Sequence, residues 1–128
     1  MRLLLDTNIL IPMMGNDVTS LPGKVRGLLA ADDMDFFASA AALWEMAIKF
    51  RIGKLKLPCM EEDIPHTITL LGLNLLPISA THAVAPVDPW PETEDPFDRM
   101  MLSVCKVERL MLVTTDKKLR DHPLAWRA

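Results

Sequence analysis

The sequence predicts an α/β protein built on a small, mainly parallel sheet flanked by helices. Short apolar segments, typical of buried strands, alternate along the chain with helical segments. The first strand, Arg2–Leu5, carries leucine at three successive positions. A strand that is apolar on both faces is typical of a parallel sheet covered by helices on both sides.

The predicted elements follow one another without a repeat or a linker. Four strands are predicted, at Arg2–Leu5, Asp35–Ser39, 75–78 and 110–114. Helices are predicted at 9–14, 21–31, 40–52, 61–71, Ala80–Val84, Pro96–Glu108 and, as a final turn, 117–120. Gly53 and Gly72 end two of these helices, and the proline-rich residues 86–96 form an extended loop.

Length and composition favour one soluble domain over residues 1–128. Half of the residues are hydrophobic, a quarter are charged and the net charge is −3, so disorder is not expected. Apolar runs are too short for a membrane span or a secretory signal, which places the protein in the cytoplasm. The mildly acidic total argues against charge-driven coating of DNA, but it is compatible with RNA cleavage by a metal enzyme.

The two cysteines and three histidines do not indicate a metal or disulfide framework. Cys59 and Cys105 form no CxxC pair and are expected to be buried thiols. His66, His82 and His122 lack ligand spacing and are expected at the surface or in loops.

Two acids follow predicted strands directly. Asp6 comes after the first strand and Asp116 after the last. Ligands of parallel α/β sheets bind beyond the carboxyl ends of the strands, so the two acids form a candidate site if those strands are neighbours. The alternative for each is an ordinary helix N-cap.

Two further acids lie on helices that are predicted to pack on the sheet. Glu45 precedes Lys49 by four residues, which allows a surface ion pair, but its immediate neighbours are apolar. Asp95, Pro96 and Asp98 match the N-cap, N1 and N3 positions of a helix. Asp95 is therefore read as a cap, whereas Asp98 begins an apolar helix and is a stronger site candidate.

Gathered carboxylates repel one another unless a cation neutralises them. An all-oxygen set without a Cys/His cluster selects Mg²⁺ or Mn²⁺ rather than zinc. Such ions activate water and stabilise a leaving oxygen in phosphoryl chemistry.

Four motifs, LLLDTN at 3–8, LWEMAIK at 43–49, DPFDR at 95–99 and VTTD at 113–116, resemble the PIN-domain ribonucleases. Within that family the chain is most similar to the VapC toxins of type II toxin–antitoxin pairs. The resemblance implies a three-layer α/β/α PIN fold over the whole chain and metal-binding, catalytic carboxylates at Asp6, Glu45, Asp98 and Asp116. It also implies supporting roles beside them for Asn8, Thr114 and Asp95. Relatives often carry Ser before the LWE motif, where this chain has Ala42.

The resemblance also implies partners: an RNA substrate such as tRNA or rRNA, a VapB-like antitoxin and a second copy in a homodimer. Candidate RNA contacts are Lys49, Arg51, Lys54 and Arg99, with a solvated helix end as the alternative for the first three. No paired aromatics indicate an RNA-stacking platform. Candidate antitoxin contacts, for each of which core packing is at least as strong an alternative, are Ile9, Ile11, Met13 and Met14.

The leading hypothesis is a Mg²⁺- or Mn²⁺-dependent endoribonuclease that acts as such a toxin. A second is a phosphatase or phosphotransferase with Asp6 as nucleophile, although Asn8 stands where dehalogenase-type phosphatases carry their second Asp. A third is a catalytically inert PIN-fold binding module, which the presence of all four acids disfavours.

Overall fold

The computed structural model describes residues 1–127 and contains a four-stranded, all-parallel sheet. Its strands are β1 (Arg2–Leu5), β2 (Asp35–Ser39), β3 (Asn74–Leu76) and β4 (Met111–Val113). They lie in the order β3-β2-β1-β4, and all three neighbouring pairs are parallel. The predicted α/β class is confirmed; the last residue of the predicted domain, Ala128, lies outside the described residues.

Six helices connect and flank the strands. They are α1 (Thr7–Met14), α2 (Gly23–Leu29), α3 (Ala40–Arg51), α4 (Ile64–Leu70), α5 (Ala80–Val84) and α6 (Pro96–Glu108). Single 3₁₀ turns at Val18–Ser20 and Glu61–Asp63 precede α2 and α4. In residues 1–127, every helix is too short or too polar to cross a membrane.

The final turn predicted at 117–120 is present as a single hydrogen-bonded turn and does not extend into a helix. The carbonyl of Asp116 accepts hydrogen bonds from the amides of Leu119 and Arg120, but the helical pattern does not continue. The chain instead returns at once to the sheet, where Ala125 forms a parallel bridge with Leu112 of β4. A segment held at both ends in this way has no room to propagate a helix.

The core surrounds β1, whose three leucines are fully buried between β2 and β4. Helix α1 adds Ile9 and Met14 to this core, so core packing holds for two of the four residues considered as antitoxin contacts. The other two, Ile11 and Met13, pack against the core and stay partly exposed.

Two of the three histidines are buried; His82 lies in α5, against the expectation from sequence, whereas His122 lies in a loop as expected. His82 is 3% exposed; its Nδ1 accepts the amide of Ser79 and its Nε2 lies 2.9 Å from the Glu108 carboxylate. His122 is 8% exposed and hydrogen-bonds the backbone through both ring nitrogens. These contacts satisfy both nitrogens and permit burial, whereas His66 is exposed as expected.

The cysteines are both free, as the sequence indicates. Cys105 is fully buried in the core, and burial raises the pKa of its thiol. Cys59 is only half-buried, because it lies in the irregular segment between α3 and α4. The expectation of two buried thiols is therefore correct for Cys105 and wrong for Cys59.

Candidate active site

The site lies where the connections from the sheet diverge on either side of β1. From β1 the chain continues to β2 on one side, while β4 arrives last and lies on the other side. Asp6 follows β1 directly, and its amide donates to the carbonyl of Val113 at the end of β4 (3.0 Å). The strands that precede Asp6 and Asp116 are thus neighbours, as the candidate site requires. Parallel α/β sheets bind ligands at such a switch point.

Asp6 is the most buried of the candidate acids, with 3% of its surface exposed. One carboxylate oxygen accepts the amide of Thr7 (2.8 Å) and caps α1, and the other accepts the hydroxyl of Thr114 (2.6 Å). Burial raises the pKa of Asp6, the charges of Glu45 and Asp116 raise it further, and the two hydrogen bonds partly oppose this. Asp6 is therefore a helix cap whose ionised form is disfavoured by its surroundings.

Glu45 enters the site from the middle of α3 and is 6% exposed. Its Oε1 accepts the hydroxyl of Thr7 (2.8 Å), and its Oε2 pairs with the ammonium of Lys49 (2.6 Å). The hydrogen bond to Glu45 is the main cause of a raised pKa at Lys49. The pair foreseen at i,i+4 exists, but its acid lies in the protein interior.

Asp98 lies in the first turn of α6 and is 8% exposed. Its Oδ2 accepts the hydroxyl of Thr93 (3.0 Å). Burial, followed by the charge of Asp95, raises the pKa of Asp98 to about 6. Asp95 itself is exposed and caps α6 by accepting the amide of Phe97 (2.8 Å), as its position in the sequence predicts.

Asp116 completes the group that we call the acid cluster: Asp6, Glu45, Asp98 and Asp116. It is half-buried, accepts the amide of Lys118 (2.9 Å), and its charge helps to raise the pKa of both Asp6 and Asp98. In residues 1–127 no three His, Cys, Asp or Glu side chains converge on one point closely enough to form a metal-binding group. The cluster is thus electrostatically coupled but open.

Two matching Thr-x-Asp turns orient the most perturbed acids. In each, the threonine hydroxyl accepts the amide of the Asp two residues later and donates to a buried carboxylate. Thr114 accepts from Asp116 and donates to Asp6, whereas Thr93 accepts from Asp95 and donates to Asp98. Thr93 was not foreseen from the sequence; the repeated T-x-D pattern beside two candidate acids is the signal that could have found it.

The residue before the LWE motif supplies no hydroxyl to the site. Ala42 is fully buried and apolar, and Ser39 uses its hydroxyl to accept the amide of Ala41 and cap α3. Thr7 reaches Glu45 from α1 instead. Glu45 therefore has a hydroxyl partner that sequence reasoning did not identify.

Within residues 1–127 no side-chain hydrogen bond or ion pair joins the acid cluster to the remaining predicted residues, which are Asn8, Arg51, Lys54 and Arg99. Asn8 is exposed, and within residues 1–127 its side chain forms no hydrogen bond to an acid. Arg51 pairs with Glu61 (2.6 Å), and Lys54 is exposed beyond the end of α3. Arg99 donates to the carbonyl of Thr93 (2.7 Å), and its guanidinium lies 4.7 Å from the ring of Trp90.

The chemistry of the donor set fits a hard divalent cation. The cluster offers carboxylate and hydroxyl oxygens only, which Mg²⁺ and Mn²⁺ prefer. Two of its acids, Asp6 and Asp98, have raised pKa values because burial and neighbouring anions oppose their ionisation. A bound cation would remove that repulsion.

A comparison with protein families matches the chain to the PIN domain over residues 3–123, so the chain belongs to the PIN-domain family. Similar solved structures include a chain of VapBC2 from Rickettsia felis bound to a promoter DNA fragment, with 17% identity and a TM-score of 0.62. The match covers 99% of this chain and 100% of that one. Another belongs to a toxin–antitoxin complex from Klebsiella pneumoniae, with 22% identity, a TM-score of 0.62 and coverage of 97% and 95%. At these identities the likeness shows a shared fold, and no curated protein matches the chain.

Proposed function

We propose that this PIN domain is a Mg²⁺- or Mn²⁺-dependent endoribonuclease and the toxin of a VapBC-type pair. The observation that carries the proposal is the acid cluster at the switch point of the sheet, in which Asp6 and Asp98 are buried with raised pKa values. Carboxyl groups whose pKa is raised by burial and by neighbouring acids cluster at functional sites. The structural neighbours from toxin–antitoxin complexes support the toxin assignment.

Asp6 and Asp98 would hold the ion, with Glu45 and Asp116 completing or extending its shell. When bound, the ion supplies charge to the scissile phosphate and lowers the pKa of a coordinated water. The hydroxyls of Thr114 and Thr93 fix the orientation of the Asp6 and Asp98 carboxylates. Lys49 balances the charge of Glu45.

The test is cleavage of total cellular RNA by purified protein in Mg²⁺, in Mn²⁺ and in EDTA. We expect discrete fragments that require the metal and disappear in Asp6→Asn and Asp98→Asn. The matched control is Asp33→Asn, which removes an exposed carboxylate. Asp33 lies in the turn before β2, at the end of the strands opposite to the acid cluster. Circular dichroism verifies that each variant is folded.

Either of two results would overturn the nuclease. Cleavage that persists in EDTA would show that a metal is not needed. Cleavage that persists in the folded Asp6→Asn and Asp98→Asn variants would show that the acid cluster is not the site. Calorimetry with Mg²⁺ distinguishes the nuclease from an inert binding module, because the inert module would bind no Mg²⁺.

The partners form the second part of the proposal: a VapB-like antitoxin and a second copy of the chain. An apolar groove of about 490 Å³ between α3 and α6 supports self-association. Trp44 lines it, is 63% exposed and stacks edge-on against Phe97 (5.5 Å between ring centroids). Sedimentation should give a dimer for the wild type and a monomer for Trp44→Glu; an unchanged monomer in both would refute this face.

RNA and antitoxin partners would place the protein in the cytoplasm, as expected from its sequence. Lys54 and Arg51, at the end of α3, remain proposed RNA contacts. The second enzymatic candidate, an aspartyl-phosphate phosphatase, is less well supported: both carboxylate oxygens of Asp6 already accept hydrogen bonds, which suits a charge-holding group better than a nucleophile. Mass spectrometry after incubation with a phosphate ester would detect the covalent phosphate that mechanism requires.

A further inference from the structure

A cleft lined by cations lies beyond the end of β4, between the start of α2 and the C-terminal segment 120–127. It encloses about 450 Å³, and we call it the basic cleft. Its lining includes Lys24, Arg120, Arg127, Thr114, Thr115 and Trp126. One carboxylate, Asp121, is also present, so the lining carries a net positive charge in a chain whose total is −3.

The basic cleft is continuous with the acid cluster through Thr114. This residue lines the cleft, and its hydroxyl donates to Asp6 (2.6 Å) and accepts the amide of Asp116 (3.0 Å). A polymeric substrate whose reacting group lies at Asp6 would therefore extend into the cleft. Between the acid cluster and the basic cleft, the charged side chains change from acidic to mainly basic.

The three cations of the cleft are available to a ligand. Lys24, Arg120 and Arg127 are all exposed, and within residues 1–127 none of them forms an ion pair with a carboxylate. Arg127 is positioned by a hydrogen bond from its guanidinium to the carbonyl of Asp121 (2.6 Å), which uses one of its donors and leaves the others. Unpaired guanidinium and ammonium groups beside one another are the usual contacts of phosphate oxygens.

We infer that the basic cleft binds the phosphodiester backbone of single-stranded RNA on one side of the bond that the acid cluster cleaves. This inference rests on the proposed nuclease function and names where its substrate extends. The cations contact phosphates, which supplies affinity without selecting a sequence. The half-buried indole of Trp126 forms an apolar wall against which a base can pack.

The test measures binding of a short fluorescent single-stranded oligoribonucleotide in EDTA, over a series of salt concentrations. The variants are Lys24→Ala, Arg120→Ala and the double variant. The matched control is Arg26→Ala, which removes another exposed cation from α2, the helix of Lys24, outside the basic cleft. Each lost phosphate contact should lower the slope of log affinity against log salt by about 0.7.

We expect the double variant to bind on the order of tenfold more weakly at low salt, with Arg26→Ala unchanged. In the metal-dependent cleavage assay the same variants should raise KM and leave kcat nearly unchanged, since the contacts are equal in ground and transition states. An Arg120→Lys variant should retain most of the affinity.

The outcomes separate this inference from the proposed function. Metal-dependent cleavage with unchanged KM and salt slope in the double variant would overturn the basic cleft and leave the nuclease standing. Cleft-dependent RNA binding without any cleavage would support the cleft and overturn the nuclease. An equal loss of RNA affinity in Arg26→Ala would show a general charge effect and would overturn the inference. Hexaglutamate that binds more tightly than RNA, in a manner that depends on Lys24, would show an acidic-peptide site and would also overturn it.

Discussion

Replacing Asp98 with Asn should stabilise the metal-free protein at neutral pH, which is the opposite of what most buried substitutions do. The amide has the size of the carboxylate, and its oxygen still accepts the hydroxyl of Thr93. What disappears is the cost of an ionised group that burial and Asp95 disfavour. The substitution therefore isolates the electrostatic strain of one member of the acid cluster.

The magnitude follows from the pKa of Asp98, which is raised from 3.8 to about 6. This rise in pKa corresponds to about 3 kcal/mol of unfolding free energy. We expect Asp98→Asn to raise the unfolding free energy by about 1–2 kcal/mol, because water screens the open edge of the cluster. Between these pH values the folded protein retains a proton that the unfolded chain has already released, so the contribution of Asp98 to stability is largest below pH 3.8 and is lost as the pH rises through about 6. Asp98→Asn removes this pH-dependent contribution.

The assay is urea unfolding in EDTA, followed by circular dichroism between about pH 4 and pH 8. Wild type and Asp98→Asn should have similar stability near pH 4, and the wild type should become the less stable of the two as the pH rises through about 6. Asp33→Asn, an exposed acid, should follow the wild type. Adding Mg²⁺ at pH 8 should raise the stability of the wild type more than that of Asp98→Asn, because binding to the folded state adds stability. Parallel pH profiles, or a less stable Asp98→Asn at neutral pH, would refute the reasoning.

Three further predictions concern single side chains. Thr114→Val removes the hydroxyl that orients Asp6 and should reduce Mg²⁺ affinity or cleavage about 10–100-fold, by calorimetry and RNA assay; unchanged values would show that the hydrogen bond is not needed. With Ellman's reagent, half-buried Cys59 should react in the native protein, whereas Cys105, whose thiol pKa is raised by burial, should react only on unfolding; rapid reaction of both would contradict the buried position. Met46→Ala opens a cavity beneath α3 and should lower the unfolding free energy by about 2–5 kcal/mol in urea, and a loss well below 1 kcal/mol would mean that the core collapses to fill it.

The parts of the fold that could be predicted from the sequence depend on short-range patterns. Three leucines followed by Asp6 predict a buried strand with a polar end, and the Asp95-Pro96 pair predicts where α6 begins. The third strand starts one residue earlier than the sequence predicts, at Asn74, whose side chain donates to the carbonyl of Phe36 in β2. A polar residue that hydrogen-bonds a neighbouring strand does not add to the apolar pattern by which a buried strand is predicted.

The partners of the acids could not be predicted in the same way, because they come from distant parts of the chain. Thr114 is 108 residues from Asp6, and Thr7 is 38 residues from Glu45; folding alone brings them within 2.8 Å of each other. The sheet order explains the first pair, because β1 and β4 are adjacent, and contact between α1 and α3 explains the second. Hydroxyls at these positions offset part of the cost of burying three carboxylates in one region. Because the offset at Asp6 and Asp98 is incomplete, the cluster stays poised to gain stability from a cation, and this residual strain is the physical link between the fold and the proposed chemistry.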